Sequence, residues 1–349
     1  MTIGIIGAGA WGTALAQALA GNGTTVVIWA REPELVAEIN TAHCNSLFLP
    51  GAALSPHIHA TSDLSDLADL SLLLVVTPAQ HLARVLADLP ASAPSPSPSP
   101  SPSQLGPRDL VLCAKGIEAG TGRLMAQVAA AAVPDAQLAV LSGPTFAHEV
   151  AAGLPTAVTL ACAGGAAQWQ RIAPLLSRPM LRPYYSDDVI GAEIGGAVKN
   201  VLAIGCGVVD GLGLGQNARA ALIARGYAEM LRFGLSRGAR AETLAGLCGL
   251  GDLVLTCSST ASRNFALGQA LGQGRSAAEA LADKHSVAEG AHTAPVLAQL
   301  AGQDGIDMPI VMAVARLLRG EAPARQVVAE LLARPLKSEG PLKAEGPSA

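Results

Sequence analysis

Over the first half of the chain, short apolar runs alternate with segments of helical periodicity. The runs that read as strands are 2–6, 25–29, 72–76, 110–114, 136–141, 157–161 and 181–185. Several are unbroken Val/Ile/Leu stretches rather than alternating ones, the pattern of strands covered on both faces of a parallel sheet. Strand and helix patterns in alternation predict βαβ units. After Asp187 the texture changes. From 191 to 332 there are only Ala/Leu/Gly-rich helical patterns, broken by Gly and Pro. The pattern predicts an α/β domain over 1–190 and an all-helical domain over 191–334. Two segments stand outside it. Residues 91–103 alternate Pro and Ser, cannot donate a regular ladder, and read as an exposed loop inserted between a helix and the next strand. The tail 335–349 is rich in Pro, Gly, Lys and Glu and reads as frayed.

Composition narrows the classes. A chain of 349 residues, half of them hydrophobic and 14% charged, buries a large core and is not generally disordered. Aromatic residues make up 3%, so the core is aliphatic and packed around small residues. The formal net charge is −4, without the basic excess of a nucleic-acid binder. Six scattered cysteines (Cys44, Cys113, Cys162, Cys206, Cys248, Cys257) form no CxxC pair, which argues against a disulfide framework or structural zinc and fits a reducing compartment. The longest apolar run, 194–209, carries Lys199, Asn200 and several glycines, and reads as a buried helix rather than a membrane span. The N-terminus lacks a basic leader and does not read as a signal peptide. His57 and His59 have strand spacing but no carboxylate or Cys beside them, so they read as a surface pair; no metal site is expected.

The first chemical motif is Gly7–Ala8–Gly9–Ala10–Trp11–Gly12, between the first strand and a helix. Gly7 permits the tight turn, Gly9 lets backbone approach a pyrophosphate, and Gly12 lets helix and strand pack closely. The helix N-terminus adds free N–H groups and a positive dipole end. This is a Rossmann-type dinucleotide turn. Arg31, with Glu32 beside it, stands at the end of the second strand, where an NAD site usually places an acid. A guanidinium there favours a 2′-phosphate, and so NADP over NAD; it also reads as a solvated strand end.

Lysine usage singles out a second set. Of 23 basic residues 18 are Arg and only five are Lys, and three of those (Lys284, Lys337, Lys343) lie in a polar loop or the tail. Lys115 and Lys199 sit instead in apolar, Gly-rich settings. A lysine is compact and can lose its proton when desolvated. Lys115 follows a strand, at the carboxyl edge where open α/β sheets bind ligands; Thr77–Pro78 and Ser142–Gly143–Pro144–Thr145 follow theirs. On a helix, Gly196, Lys199 and Ala203 share a face. Asp252, among Gly and Leu, is expected to be partly buried and in need of a partner. Ser262 reads as the N-cap of a helix to about Leu271, and with Arg263 and Asn264 it forms a candidate anion site.

Together these segments resemble the bacterial-type NAD(P)-dependent glycerol-3-phosphate dehydrogenases. The matching runs are GAGAWGTALA from Gly7, LPG from Leu49, TPAQ from Thr77, AKGIE from Ala114, SGPTFAHEV from Ser142, the long run from Glu193 to Met230, GLGDLVLTCSSTASRN from Gly249 and VAEG from Val287. They occur in order over nearly the whole chain. Thr77 stands where the family often has Val, Val198 where Leu is common, and the Pro–Ser insert is foreign to the pattern.

The resemblance implies a Rossmann domain followed by a helical one. It implies reversible reduction of dihydroxyacetone phosphate to sn-glycerol 3-phosphate, for phospholipid synthesis. Lys199 would be the proton donor and acceptor, and Lys115 would touch substrate and cofactor. Gly143, Thr145, Asp252, Ser262, Arg263 and Asn264 would bind substrate. Ala10, Trp11, Arg31, Ala147, Arg263, Val287 and Glu289 would bind NADP or NAD. With two ammonium groups in one site, the second eases proton release from Lys199 while Asp252 tempers the effect. A cytoplasmic homodimer acting on a small phosphorylated substrate is expected. A dehydrogenase of another β-hydroxyacid, or a nucleotide sensor without turnover, remains open at this point.

Overall fold

The computed structural model describes residues 1–20, 23–90, 108–282 and 288–335. The Pro–Ser segment 91–103, Val287 and the tail beyond 335 lie outside these residues. Up to Ser186 the chain builds an eight-stranded sheet from β1 (Thr2–Ile6), β2 (Thr25–Trp29), β3 (Ile58–Thr61), β4 (Leu72–Val75), β5 (Asp109–Leu112), β6 (Gln137–Ser142), β7 (Thr156–Cys162) and β8 (Leu181–Ser186). Their order is β3-β2-β1-β4-β5-β6-β7-β8. The first six are parallel, with a topological switch between β1 and β4.

Every position of β4 and β5 is buried, and both are apolar runs except at Asp109, whose carboxylate accepts from Gln168 and Arg171. In β4, Leu72 and Leu74 join the core on one side of the sheet, and Leu73 and Val75 the core on the other. Helices α1 (Ala10–Leu19), α2 (Pro33–Ala42), α3 (Leu82–Ala87), α4 (Met125–Ala132), α5 (Ala147–Ala151) and α6 (Gly165–Leu176) surround the sheet.

Two features depart from the sequence reading. The edge strand β3 has only four residues, and His59 and Thr61 interrupt any apolar run, so no periodic signal marks it. It pairs with β2 and places His59 opposite Val27. Strand β7 runs antiparallel to β6, with Ser142 opposite Thr159, so the sheet is not parallel throughout. The connection from β6 to β7 holds only the short helix α5, which lies against α1 rather than crossing the sheet. A parallel partner would need a full crossover.

No strand follows Ser186 among the described residues. The chain continues through α7 (Val189–Gly211), α8 (Gly215–Ser236), α9 (Ala241–Ala245), α10 (Asp252–Thr256), α11 (Arg263–Gly272), α12 (Ala277–Ala280), α13 (Glu289–Gln303), α14 (Pro309–Leu318) and α15 (Ala324–Leu332). Helix α7 joins the two parts. Ala192 packs in the core beneath the sheet, while Ile194, Val198 and Val201 belong to the helical core. Its length and composition would suit a membrane span, but 89% of its apolar window is buried inside the protein, as for a core helix.

Glycines set how close α7 comes to α11. A Cβ on Gly207 would lie 2.0 Å from the Phe265 carbonyl oxygen, and one on Gly268 would lie 1.9 Å from that of Ile204. The two helices cross backbone to backbone, and no larger residue fits at those points.

Candidate active site

The carboxyl ends of β1, β4, β5 and β6 open on one edge of the sheet, and helices from the second part close over that edge. Lys115 leaves the end of β5. Gly196 on α7 has no side chain, and a Cβ there would lie 3.2 Å from the Lys115 Cγ. The lysine stem therefore lies along α7 and carries its ammonium toward the helical part. Gly195 serves a different contact, since its Cβ would fall 2.5 Å from the Cys248 carbonyl oxygen.

Asp252 is brought to the same point by a widened turn. The Gly251 N–H donates to the Gly246 carbonyl five residues back, at 3.0 Å, and α10 begins immediately afterwards. Such one-turn widenings re-aim side chains and occur often at functional sites. Asp252 is fully buried. Its Oδ2 accepts from the Lys115 Nζ at 2.6 Å and its Oδ1 from the Lys199 Nζ at 2.6 Å. The Lys115 ammonium also donates to the Gly143 carbonyl at 3.1 Å, and the Lys199 ammonium to the Thr256 hydroxyl at 2.9 Å. Two cations thus share one anion in a nearly dry site.

Burial is the largest influence on Lys199 and pushes its ammonium down to about 8. Asp252 opposes that shift, and Lys115 reinforces it to a lesser extent. The sequence argument rested on the second lysine; the structure makes desolvation the leading cause.

Thr256 and Asn200 belong to this cluster and were not singled out from the sequence. Thr256 stands one helical turn beyond Asp252, on the same face, and donates to its Oδ1 at 3.2 Å. That spacing is the signal that could have found it. Asn200 links the parts. Its amide donates to the Lys115 carbonyl at 3.4 Å, and its oxygen accepts from the Asn264 amide at 3.0 Å.

Ser262 caps α11 as expected, accepting from the Phe265 N–H at 3.3 Å. Asn264 turns inward and also accepts from the Gly290 N–H at 2.9 Å. Arg263 is exposed and makes no hydrogen bond or ion pair among the described residues, so it is the fork donor left available at this end of α11. Thr145 stays beside Gly143, donating to its carbonyl at 3.3 Å.

The glycine turn has the features a dinucleotide requires. Gly7 has φ +117°, and a Cβ on Gly12 would lie 1.9 Å from the Gly7 carbonyl oxygen. Nothing lies within 4 Å of where a Cβ on Gly9 would be. No side chain caps the N-terminus of α1. Ala10, Trp11 and Ala147 meet in one apolar cluster with Leu49. Arg31 is exposed at the end of β2, its guanidinium 2.7 Å from the Glu32 carboxylate. Glu289 begins α13 and accepts from the Ala79 N–H at 3.1 Å, in the loop after β4. Burial pushes its carboxyl up to about 7, and that N–H moderates the shift. Its Oε2, the Thr77 hydroxyl and the Ser142 hydroxyl are buried without partners among the described residues, all near the carboxyl edge of the sheet. Val287 lies outside the described residues. Among those residues no cluster of His, Cys, Asp and Glu could hold a metal ion.

A dinucleotide turn on a switch-point sheet, with Lys115 from the sheet edge and buried Lys199 from the helical part meeting at one carboxylate, defines a two-part nicotinamide-dependent dehydrogenase. Residues 2–167 match the model for the NAD-dependent glycerol-3-phosphate dehydrogenase N-terminus, and residues 188–329 the model for its C-terminus. The chain belongs to that family. It is 67% identical over 337 residues to glycerol-3-phosphate dehydrogenase [NAD(P)+] of Erythrobacter litoralis, covering 97% of each chain. It is 65% identical to the enzyme of that name from Novosphingobium aromaticivorans, covering 97% of this chain and 98% of the relative. Among solved structures, the glycerol-3-phosphate dehydrogenase of Coxiella burnetii superposes with a TM-score of 0.86 at 38% identity, covering 95% of this chain and 99% of that one.

Proposed function

We propose that this protein catalyses the reversible reduction of dihydroxyacetone phosphate to sn-glycerol 3-phosphate, supplying glycerophospholipid synthesis. The observation that carries the assignment of roles is Asp252 held between the Lys115 and Lys199 ammonium groups at 2.6 Å each. A reduced nicotinamide, when bound at the glycine turn, supplies hydride to the C2 carbonyl. The protein's part is to hold that carbonyl and manage the charge that develops on its oxygen. Lys199, with its proton affinity lowered by burial, donates a proton to that oxygen and takes it back in the oxidative direction. Lys115 stabilises the developing oxyanion and orients the substrate together with Gly143 and Thr145. Arg263 and the N-terminus of α11, with Ser262 and Asn264 shaping it, hold the phosphate. Asp252 keeps both ammonium groups in register and balances their charge.

The cofactor is NADP or NAD, held by Gly7, Gly9, Ala10, Trp11, Gly12, Ala147, Lys115, Arg263, Val287 and Glu289. Exposed Arg31 supports a preference for NADPH, because its guanidinium can reach a 2′-phosphate. The proposal places the domain boundary at 190/191, with the glycine turn and most of the dinucleotide contacts in 1–190, and the substrate phosphate site in 191–334, from which Arg263, Val287 and Glu289 also serve the cofactor. It also places the protein in the cytoplasm as a homodimer, a setting with which six unpaired cysteines accord.

The test is to mix purified protein with NADPH or NADH and dihydroxyacetone phosphate and follow the reduced-nicotinamide absorbance. The expected result is oxidation that disappears when unphosphorylated dihydroxyacetone is used, and runs faster with NADPH. Tight cofactor binding without oxidation would overturn the reading.

A further inference from the structure

The segment between α2 and β3 holds a buried side chain whose polar atoms are all engaged on the dinucleotide turn or its cover. Asn45 is fully buried. Its amide donates to the Ala8 carbonyl at 2.9 Å and to the Thr13 hydroxyl at 2.8 Å. Its oxygen accepts from the Phe48 N–H at 2.9 Å. Thr13, itself buried, donates its hydroxyl to the same Ala8 carbonyl at 3.2 Å. Two donors therefore fix the Ala8 carbonyl from beneath the turn. The Ala8–Gly9 peptide is trans and planar, so its N–H points away from its carbonyl. Pinning the carbonyl inward aims the Gly9 N–H outward, and a Cβ on Gly9 would meet nothing within 4 Å, so the backbone at Gly9 is open to a ligand. The same segment is tied to α1 a second time, where the Ser55 N–H donates to the Gln17 side chain at 2.7 Å. Leu49 then packs on Ala14 and Val150, with Ala10 and Trp11 alongside.

We propose that Asn45 is a positioning residue for the cofactor: by holding the Ala8 carbonyl and Thr13 it fixes the glycine turn in the conformation that presents N–H groups to the pyrophosphate. The inference rests on the reading of that turn as the NAD(P) site. An N–H array binds an anion best when it does not have to reorganise, and a buried carbonyl left without its donor costs free energy that a shifted turn would relieve. Asn45→Asp keeps the shape, removes both donors and sets a carboxylate against the Ala8 carbonyl. Thr13→Val keeps the shape and removes only the hydroxyl.

The experiment uses the full chain and measures Kd for NADPH and NADH by nicotinamide fluorescence, inhibition by ADP-ribose, thermal stability, and kcat and KM for each substrate. Asn45→Asp is expected to weaken both nicotinamide dinucleotides and ADP-ribose by roughly tenfold or more. Thr13→Val is expected to weaken them by about threefold. At saturating cofactor, kcat and the KM for dihydroxyacetone phosphate should stay within about twofold of the unsubstituted protein, a split that general loosening of the fold would not produce. If Asn45→Asp does not fold, Thr13→Val alone decides. Folded variants that bind all three ligands as tightly as the unsubstituted protein overturn the inference, as does a loss confined to kcat. If the unsubstituted protein binds neither nicotinamide dinucleotide, the reading of the turn itself falls instead.

Discussion

Asp252 decides whether two lysines can share a buried site. With the carboxylate present, each ammonium has a partner at 2.6 Å; without it, Lys199 keeps only the Thr256 hydroxyl. Removing one partner of a buried ion cluster leaves uncompensated charge and typically costs about 3–5 kcal/mol. Asp252→Asn should therefore lower unfolding free energy by an amount in that range, measured by urea denaturation. It should also lower the proton affinity of Lys199 further, because Asp252 is what opposes the burial effect. That leads to a pH prediction for the intact site. Reduction needs Lys199 protonated, so kcat/KM for dihydroxyacetone phosphate should fall as pH rises through about 8, while the oxidative direction gains over the same range. In Asp252→Asn the fall should begin at lower pH. Lys199→Ala should abolish the dependence and reduce kcat by about a hundred- to ten-thousand-fold, with cofactor Kd little changed. Retained turnover would remove Lys199 from the role. Both lysines were legible because lysine is scarce in this chain and these two stand in apolar company. Asn200 was not, since a single amide in a helix gives no periodic signal and its partners, Lys115 and Asn264, are distant in sequence.

Helix α11 presents the candidate phosphate site, and glycine contacts with α7 set how closely its backbone can approach, beside the packing of Phe265, Leu267 and Leu271 in the helical core. A Cβ on Gly268 would meet the Ile204 carbonyl oxygen at 1.9 Å, and one on Gly272 would meet that of Val208 at 2.6 Å. Backbone cannot rotate out of the way as a side chain can, so relief must come from moving the helix. Gly268→Ala should cost about 3 kcal/mol or more, at the upper end for overpacking, and lower Tm accordingly. Because Ser262, Arg263 and Asn264 ride on the first turn, the KM for dihydroxyacetone phosphate should rise more than the Kd for cofactor. Unchanged stability and KM would show that α11 is not seated by this contact. The start of this helix was readable from Ser262, whose capping bond the structure contains. The strands of the sheet interior were readable from unbroken apolar runs, because burial on both faces writes that pattern. Strand β3 was not, being short and at the edge. The reversal of β7 was not either, because strand direction depends on how the connection carrying α5 travels, and an apolar run looks the same in both directions.

The two parts of the molecule are joined by buried carboxylates as well as by α7. Glu193, on α7, accepts from the Ala126 N–H at 2.7 Å, at the start of α4 on the sheet. Glu289, on α13, accepts from Ala79 after β4. Glu229 does the same within the helical part, taking the Ile310 and Val311 N–H groups at 2.8 and 3.1 Å at the start of α14. Burial pushes each of these carboxyls up to about 7, against the backbone bonds that pull it down. The folded protein therefore holds these protons up to about pH 7, while the unfolded chain releases them near 4.5, the ordinary value for a glutamate. Between those limits the folded state binds more protons, so stability is greatest below the unfolded value and declines as pH rises, levelling off above about 7. Exposed carboxylates with lowered values, such as Glu279 and Glu330, are already ionised above pH 5 and do not change the slope. Lys199, lowered to about 8, acts above this window. The protein without cofactor should thus unfold at lower urea concentration at pH 7.5 than at pH 5.5. Glu193→Gln, which keeps an acceptor for Ala126 but has no proton to lose, should remove a share of that difference on the order of 2 kcal/mol. A pH dependence of equal size in Glu193→Gln would show that this carboxylate is solvated in the folded protein and does not couple the sheet to α7.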